Sequence, residues 1–254
     1  MCLRAYFRSA HCRRRASRRN VLPEKTNKIM TTVTFPKLAL FDWDGTIVHS
    51  AMSILNAHNH VRQILGLEPW DMLALIQKAA RIGTARETFT VLYPDHVDIA
   101  HDTYYEHINA NRFSTLEIIE GVINLLSLLK EHNITLGIVS NMKHNSLVEE
   151  VEKMGLKDYF SVIVGAGEAP RGKPYPDAIY LALERLGLPK EILAHTWFFG
   201  DMETDEKASK AAGCQFWYYM GGISDADEQA NMQAHVKFDH YDRAIEIFTS
   251  LTPQ

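Results

Sequence analysis

The sequence has few cysteines and no long apolar run. Of its three cysteines, Cys2 and Cys12 lie near the N-terminus, which leaves Cys214 alone in the rest of the chain. One cysteine can form neither a disulfide framework nor a cysteine zinc site, and such sparse use indicates a reducing compartment. No apolar stretch approaches the roughly 18 residues that span a bilayer. We therefore expect a soluble protein without a membrane partner.

Basic residues are scarce outside the first 30 positions. Residues 1–30 contain nine Lys or Arg and one acid, a net charge of +8, whereas the whole chain carries -4, so residues 31–254 carry -12. Phosphate backbones are bound by clustered Lys and Arg. The acidic body therefore argues against nucleic acid as the main partner.

The basic segment 1–30 lacks the apolar core of a secretory signal. Its Arg-rich, acid-poor composition is typical of an organelle transit peptide. Met30 stands just before the first predicted strand, however, so residues 1–29 equally fit an over-extended gene start. Both interpretations exclude the segment from the fold, because it cannot bury enough apolar surface to become ordered. The predicted location is the cytoplasm, or the mitochondrial matrix if the segment is a transit peptide.

Short apolar runs alternate with amphipathic stretches along residues 31–50 and 114–254. The apolar runs predict buried parallel strands at 38–41, 135–139, 162–164, 196–199 and 214–218. The intervening patterns predict helices at 122–130, 146–154 and 176–186. This alternation is typical of a doubly wound α/β domain with helices on both faces of a parallel sheet.

Residues 51–113 contain helical patterns without an intervening strand signal. An insertion after the first strand begins at the carboxyl edge of the sheet, where ligands of such folds bind. We therefore predict an all-helical cap over the site. Arg81, Thr84 and Arg86 lie between its predicted helices and are candidates for contacts with the leaving group, or else ordinary solvated loop residues.

Two carboxylates directly follow the first predicted strand, in the run Asp42-Trp43-Asp44-Gly45-Thr46. Gly45 allows a sharp turn, so that both carboxylates can point into one cleft. Two like charges placed so close together require a cation. Taken alone, the pair fits a polar loop that only caps the next helix better than it fits a cation site.

Three later strand ends carry polar side chains of complementary chemistry. Ser140 and Asn141 offer a hydroxyl and an amide near a helix start, which suits a phosphate oxygen. Lys173 lies in a proline-stiffened approach to a helix and can offset the carboxylates. Asp201 and Asp205 stand four positions apart, and hard oxygen ligands near an expected phosphate indicate Mg²⁺.

In order and placement, these four signals resemble the four motifs of the haloacid dehalogenase superfamily, over about residues 38–213. The helical insertion is similar to the cap of the phosphoglycolate phosphatase-like and sugar phosphomutase-like branch. The resemblance implies a Rossmann-like core that transfers a phosphoryl group from a small phosphorylated metabolite through an aspartyl-phosphate.

The resemblance also implies a role for each motif residue. Asp42 would be the nucleophile and Asp44 the general acid and base. Mg²⁺ would bind Asp42, Asp201 and the carbonyl of Asp44.

The remaining motif residues would support this centre. Ser140, Asn141 and Lys173 would bind the phosphoryl group, and Asp205 would hold the cluster in place together with Lys173. Two positions depart from the pattern: His49 stands where relatives commonly have Asp, and Met202 where a small polar residue is common.

Three functions remain open at this point. Hydrolysis of a small phosphate monoester is preferred, because no additional cap group can be assigned to sugar reorientation. A sugar phosphomutase of the β-phosphoglucomutase type uses the same aspartyl-phosphate, so the motifs do not separate the two. A non-catalytic, phosphate-binding regulatory protein is the third. The sequence indicates neither the natural substrate nor the oligomeric state.

Overall fold

The computed structural model describes residues 33–72, 74, 85–222, 224 and 226–251. The basic segment 1–30 and the predicted cap residues Arg81 and Thr84 lie outside these ranges. Arg86 lies in a helix, but its side chain is outside the described part. Among the described residues, no helix has both the length and the apolarity needed to cross a membrane.

Six parallel strands form the main sheet, in the order β5-β4-β1-β6-β7-β8. A separate antiparallel pair joins β2 to β3. The strands are β1 (Leu38–Phe41), β2 (Val48–His49), β3 (Glu117–Ile118), β4 (Thr135–Lys143), β5 (Val162–Ala166), β6 (Thr196–Gly200), β7 (Gln215–Tyr219) and β8 (Val236–Phe238).

Helices cover both faces of this sheet. The α-helices of the described residues, of which α1 to α3 belong to the insertion, are α1 (Ala51–Ile64), α2 (Ala85–Leu92), α3 (Val97–Asn111), α4 (Val122–Glu131), α5 (His144–Lys153), α6 (Asp177–Leu186), α7 (Glu203–Ala212), α8 (Ala226–Asn231) and α9 (Tyr241–Ser250). Alternate side chains of β1 point to opposite faces. Ala39 and Phe41 pack with α4, α5 and α9, whereas Leu38 and Leu40 pack with α6 and α7. The predicted doubly wound α/β sheet is confirmed.

The structure departs from the predicted strands in two respects: β4 is longer than predicted, and the short strands β2, β3 and β8 were not predicted. Strand β4 continues past Val139 to Lys143, with a register shift against β5 between these residues. Strand β8 was not predicted, because three residues at the edge of a sheet give too short an apolar pattern to recognise. Neither difference changes the order of the central strands.

Helices α1, α2 and α3 occupy the range predicted as a helical insertion, and between His49 and Glu117 the described residues contain no strand. Val61, Phe89, Tyr93 and Ala100 form a small apolar core among them. The chain leaves the main sheet through β2 and returns through β3. These two connections therefore run side by side, because β2 pairs with β3.

Candidate active site

Three of the predicted site residues meet because their strands are neighbours. Asp42 follows β1, Ser140 lies in β4 and Asp201 follows β6, and β1 lies between the other two strands. Parallel strands end at the same edge of a sheet, so the polar residues at these ends share one cleft. All three side chains are buried.

Lys173 joins two of the carboxylates in what we call the lysine cluster, defined as Lys173, Asp42 and Asp205. Its Nζ lies 2.6 Å from Oδ1 of Asp42 and 2.6 Å from Oδ1 of Asp205. The three side chains are nearly inaccessible to solvent. Burial of charge is costly unless it is paired, so these contacts hold the three groups together.

The lysine cluster and Asp201 carry more negative charge than one ammonium offsets. Burial raises the pKa of Asp42 to about 7, against the opposing effect of Lys173, and the charge of Asp205 raises it further. Although burial opposes it, the carboxylates of Asp205 and Asp42 raise the pKa of Lys173. Lys173 therefore stays charged. A further cation near Asp42 would favour the ionised form of its carboxyl group.

The carboxylates meet the requirements of a divalent metal site. Asp42, Asp201 and Asp205 each have an oxygen within 4.8 Å of the others. Asp205 already uses Oδ1 for Lys173 and accepts a hydrogen bond from the backbone N–H of Met202 at 3.1 Å through Oδ2. Asp42 and Asp201, which directly follow the neighbouring strands β1 and β6, are the better placed ligands, and hard carboxylate oxygens suit a hard divalent cation.

Two glycines make room for Asp201. A Cβ on Gly45, which has φ +74°, would lie 2.2 Å from Oδ2 of Asp201, and a Cβ on Gly222 would lie 2.1 Å from the same atom. Oδ1 of Asp201 accepts a hydrogen bond from Thr46 Oγ1 at 3.3 Å. Gly45 was recognised from the sequence, whereas Gly222 was not, because no local pattern shows that the loop after β7 approaches Asp201.

Asn141 supports Lys173 through its side chain. Its Nδ2 donates to the carbonyl of Lys173 at 2.8 Å, and its Oδ1 accepts from the N–H of Lys173 at 2.9 Å. Ser140 Oγ accepts a hydrogen bond from the backbone N–H of Met142 at 3.2 Å. The structure thus gives the Asn141 side chain a positioning role, and phosphate binding by Ser140 and Asn141 stays a prediction.

A second buried group, absent from the sequence-based prediction, surrounds Asp44. We call it the arginine cluster, defined as Arg112, Asp44 and Glu150. Arg112 pairs with Asp44 through Nη2 and with Glu150 through Nε. Trp43 Nε1 donates to Oε2 of Glu150 at 2.7 Å. Burial raises the pKa of Glu150, an effect that the charge of Arg112 opposes.

One sequence signal for this cluster was available. Glu150 lies on α5 between the buried residues Leu147 and Val151, at a spacing that faces the core. A charged residue at such a position indicates a buried ion pair, because lone buried charges are rare. Arg112 has no comparable signal, since it follows α3 in a short polar turn.

Both connections to the helical region meet at Arg112. Ser53 Oγ lies 2.6 Å from Thr115 Oγ1 and also donates to the carbonyl of Arg112 at 3.4 Å. Helix α3 approaches the site from the same side, where Lys143 Nζ lies 5.5 Å from the ring centroid of Tyr105. Burial raises the pKa of Tyr105, and the charge of Asp44 adds to the effect.

His49 and Met202, the two departures from the expected pattern, lie beside the site and not in it. His49 is exposed and lies in β2 opposite Glu117. Met202 precedes α7, and its backbone N–H is capped by Asp205. Neither side chain replaces a charged group of the cleft.

Comparisons with known proteins point to one family. A family model described as "Haloacid dehalogenase-like hydrolase" matches residues 39–218. Phosphoglycolate phosphatase of Chromobacterium violaceum is 29% identical over 201 residues, which cover 75% of this chain and 87% of the relative. Pyrophosphatase PpaX of Halalkalibacterium halodurans is 28% identical over 174 residues, covering 68% and 79% respectively.

Solved structures agree on the fold. The crystal structure of a protein described as a "predicted phosphoglycolate phosphatase" from Haemophilus somnus superimposes with a TM-score of 0.74. It covers 85% of this chain and 99% of that one, at 21% sequence identity. At such low identity the likeness supports the architecture alone.

Proposed function

The chain belongs to the haloacid dehalogenase-like hydrolase family, and from this premise we propose that it is a Mg²⁺-dependent phosphatase that hydrolyses small phosphate monoesters. The lysine cluster carries the proposal: a buried carboxylate, Asp42, lies 2.6 Å from the Nζ of Lys173 at the carboxyl end of a parallel sheet. This arrangement pairs a nucleophile with a cation where an anionic substrate must approach.

Asp42 forms the covalent intermediate in the first half of the reaction. Its carboxylate oxygen attacks phosphorus, and the bond from phosphorus to the leaving oxygen breaks. Asp44 gives a proton to that oxygen, so the alcohol leaves neutral. Lys173 and the hydroxyl of Ser140 offset the charge on the transferring oxygens.

Asp44 reverses its role in the second half. It takes a proton from water, whose oxygen attacks the phosphorus of the aspartyl-phosphate. The bond to Asp42 breaks, inorganic phosphate leaves, and both carboxyl groups return to their starting states. Asp205 keeps Lys173 in place throughout, because it binds the same ammonium as Asp42.

A metal would be held by Asp42, Asp201 and the backbone carbonyl of Asp44. When bound, Mg²⁺ supplies positive charge that stabilises the phosphoryl oxygens in the transition state. Residues 51–113 form the cap in this proposal, with residues 31–50 and 114–254 as the core. Closure of the cap excludes bulk water during the first transfer.

Asp42→Asn tests the nucleophile. With 4-nitrophenyl phosphate and Mg²⁺, we expect kcat to fall by at least about 10³-fold, because the amide cannot attack phosphorus. Asp102→Asn is the matched control, since Asp102 is exposed on α3. Unchanged turnover in Asp42→Asn would show that another group is the nucleophile.

The substrate screen distinguishes the remaining functions. Two similar proteins are named for phosphoglycolate and pyrophosphate hydrolysis, so these compounds belong in the first panel, together with hexose monophosphates. We expect stoichiometric release of inorganic phosphate that requires Mg²⁺. Isomerisation of a hexose phosphate without phosphate release would instead indicate a mutase, and no turnover of any ester would indicate a binding protein.

A further inference from the structure

Arg112 is a buried cation that the proposed reaction does not yet use. Its side chain is 6% exposed, although it lies where the helical region returns to the core. It contacts two carboxylates, Asp44 and Glu150. Of these, Asp44 is 28% exposed and reaches the cleft, whereas Glu150 is buried.

The contact with Arg112 distinguishes the two oxygens of Asp44. Nη2 of Arg112 contacts Oδ1, and a guanidinium can only donate hydrogen bonds. Oδ1 therefore has to accept, so a proton carried by this carboxyl group lies on Oδ2. Arg112 thereby selects the oxygen that can exchange a proton with the leaving group.

The guanidinium of Arg112 is supported by side chains of the core. Glu150 contacts its Nε, and Trp43 donates to the second oxygen of Glu150 at 2.7 Å. A planar guanidinium held by two partners has little rotational freedom. Glu150 also pairs with the guanidinium on an atom that Asp44 does not contact, so the two carboxylates hold it at separate positions.

We propose that Arg112, supported by Glu150 and Trp43, is a positioning residue that orients Asp44 for proton transfer to the leaving oxygen. The inference rests on the proposed phosphatase function, in which Asp44 is the acid. The competing role is structural, since Arg112 also lies where both connections to the helical region meet.

The two roles differ in their dependence on the leaving group. A structural brace affects all substrates alike. Misplacement of an acid mainly slows substrates whose leaving oxygen needs a proton, whereas 4-nitrophenolate leaves readily without one. The parameter to measure is kcat/KM, because it includes only the steps up to departure of the leaving group.

The experiment compares 4-nitrophenyl, phenyl and 4-methoxyphenyl phosphate with the full chain in Mg²⁺. The variants are Arg112→Met, which keeps the length of the side chain, Arg112→Lys, which keeps its charge, and Glu150→Gln, which keeps its shape. Asp44→Asn provides the reference for a lost acid. Arg171→Met is the matched control, because Arg171 is exposed and pairs with Asp177 outside the cleft.

We expect Asp44→Asn to raise the ratio of kcat/KM for the 4-nitrophenyl ester over the 4-methoxyphenyl ester by about 100-fold. Arg112→Met should raise it by at least about 10-fold, because a displaced acid loses most of its effect. Arg112→Lys and Glu150→Gln should each raise it by about threefold. Arg171→Met should leave the ratio unchanged.

The outcomes distinguish a failure of this inference from a failure of the proposed phosphatase function. One outcome is that Asp44→Asn raises the ratio while the folded Arg112 and Glu150 variants lower kcat/KM equally for all three substrates. In that case Arg112 has a structural role only and the inference is wrong, but the phosphatase mechanism stands. An unchanged ratio in Asp44→Asn would overturn both. If circular dichroism shows that Arg112→Met is unfolded, the folded Arg112→Lys and Glu150→Gln variants decide the question by the same criterion.

Discussion

The described part of the chain holds two ion clusters of the same formal charge, and their members Asp42 and Asp44 stand on either side of Trp43 in the sequence. In the lysine cluster, Lys173 lies between Asp42 and Asp205. In the arginine cluster, Arg112 lies between Asp44 and Glu150. Each contains one cation for two carboxylates, so the excess of negative charge is the same in both.

The two clusters differ in how they are built and in their access to solvent. The lysine cluster joins two loops at the carboxyl ends of the sheet to the first turn of α7, where Asp205 is fully buried. The arginine cluster joins Arg112, which follows α3, to the buried face of α5, and Asp44 is 28% exposed. An exposed partner can be solvated when its cation is lost, whereas a buried one cannot. We therefore expect removal of the cation to lower the stability of the protein more in the lysine cluster than in the arginine cluster.

Lys173→Met should give the largest effect. It leaves Asp42 and Asp205 buried without their cation, so we expect the free energy of unfolding to fall by about 3–5 kcal/mol. We also expect kcat to fall by at least about 10³-fold, because the charge beside the transferring oxygens is lost. Urea denaturation in EDTA and phosphate release with Mg²⁺ measure the two effects.

Lys153→Met is the control for this variant, since Lys153 forms an exposed pair with Glu149. Its stability should change by less than about 0.5 kcal/mol. If Lys173→Met proved as stable as the native chain, the burial of the lysine cluster would not carry the cost argued above.

Arg112→Met should destabilise the protein less, by about 1–3 kcal/mol, because only Glu150 remains buried without a cation. The double variant Arg112→Met, Glu150→Gln removes that charge and keeps an acceptor for Trp43 Nε1. We therefore expect it to recover at least half of the loss. The unfolding free energies of Arg112→Met, Glu150→Gln and the double variant together give the coupling energy between Arg112 and Glu150. A double variant less stable than both single variants would contradict the charge argument.

The same contrast explains which part of the site could be predicted from the sequence. The alternation of apolar runs indicates parallel strands, and parallel strands bring their carboxyl ends to one edge. Asp42, Lys173, Asp201 and Asp205 follow strands, or the loops beyond them, in the order of known motifs. The predicted parallel strands and the resemblance to those motifs were therefore enough together to predict that these side chains meet.

The arginine cluster depends on tertiary packing that no local pattern encodes. The position of Glu150 between Leu147 and Val151 indicates burial but not a partner. Arg112 lies 38 positions earlier, and only the folded chain brings the two side chains together. Strand β8 was missed for a related reason, since its three residues form a strand only because they pair with β7.

Binding of Mg²⁺ should distinguish the clusters by a smaller, pH-dependent effect. Burial raises the pKa of Asp42 to about 7, with Lys173 opposing and Asp205 adding to the shift. In the metal-free protein, Asp42 is therefore mostly protonated below pH 7, and the metal has to displace that proton. Affinity should consequently weaken as pH falls, by up to about tenfold, or about 1.4 kcal/mol, per pH unit between 7 and 5.

Calorimetry in two buffers of different ionisation enthalpy measures this proton directly. We expect nearly one proton to be released per Mg²⁺ at pH 6 and almost none at pH 8. Asp201→Asn should abolish the binding, because it removes one of the two best placed ligands. Glu150→Gln should bind Mg²⁺ with the native pH profile, since Glu150 belongs to the arginine cluster. If Glu150→Gln altered the number of protons released, the two clusters would be electrostatically coupled. They could then not be treated as independent sites that differ in solvent access.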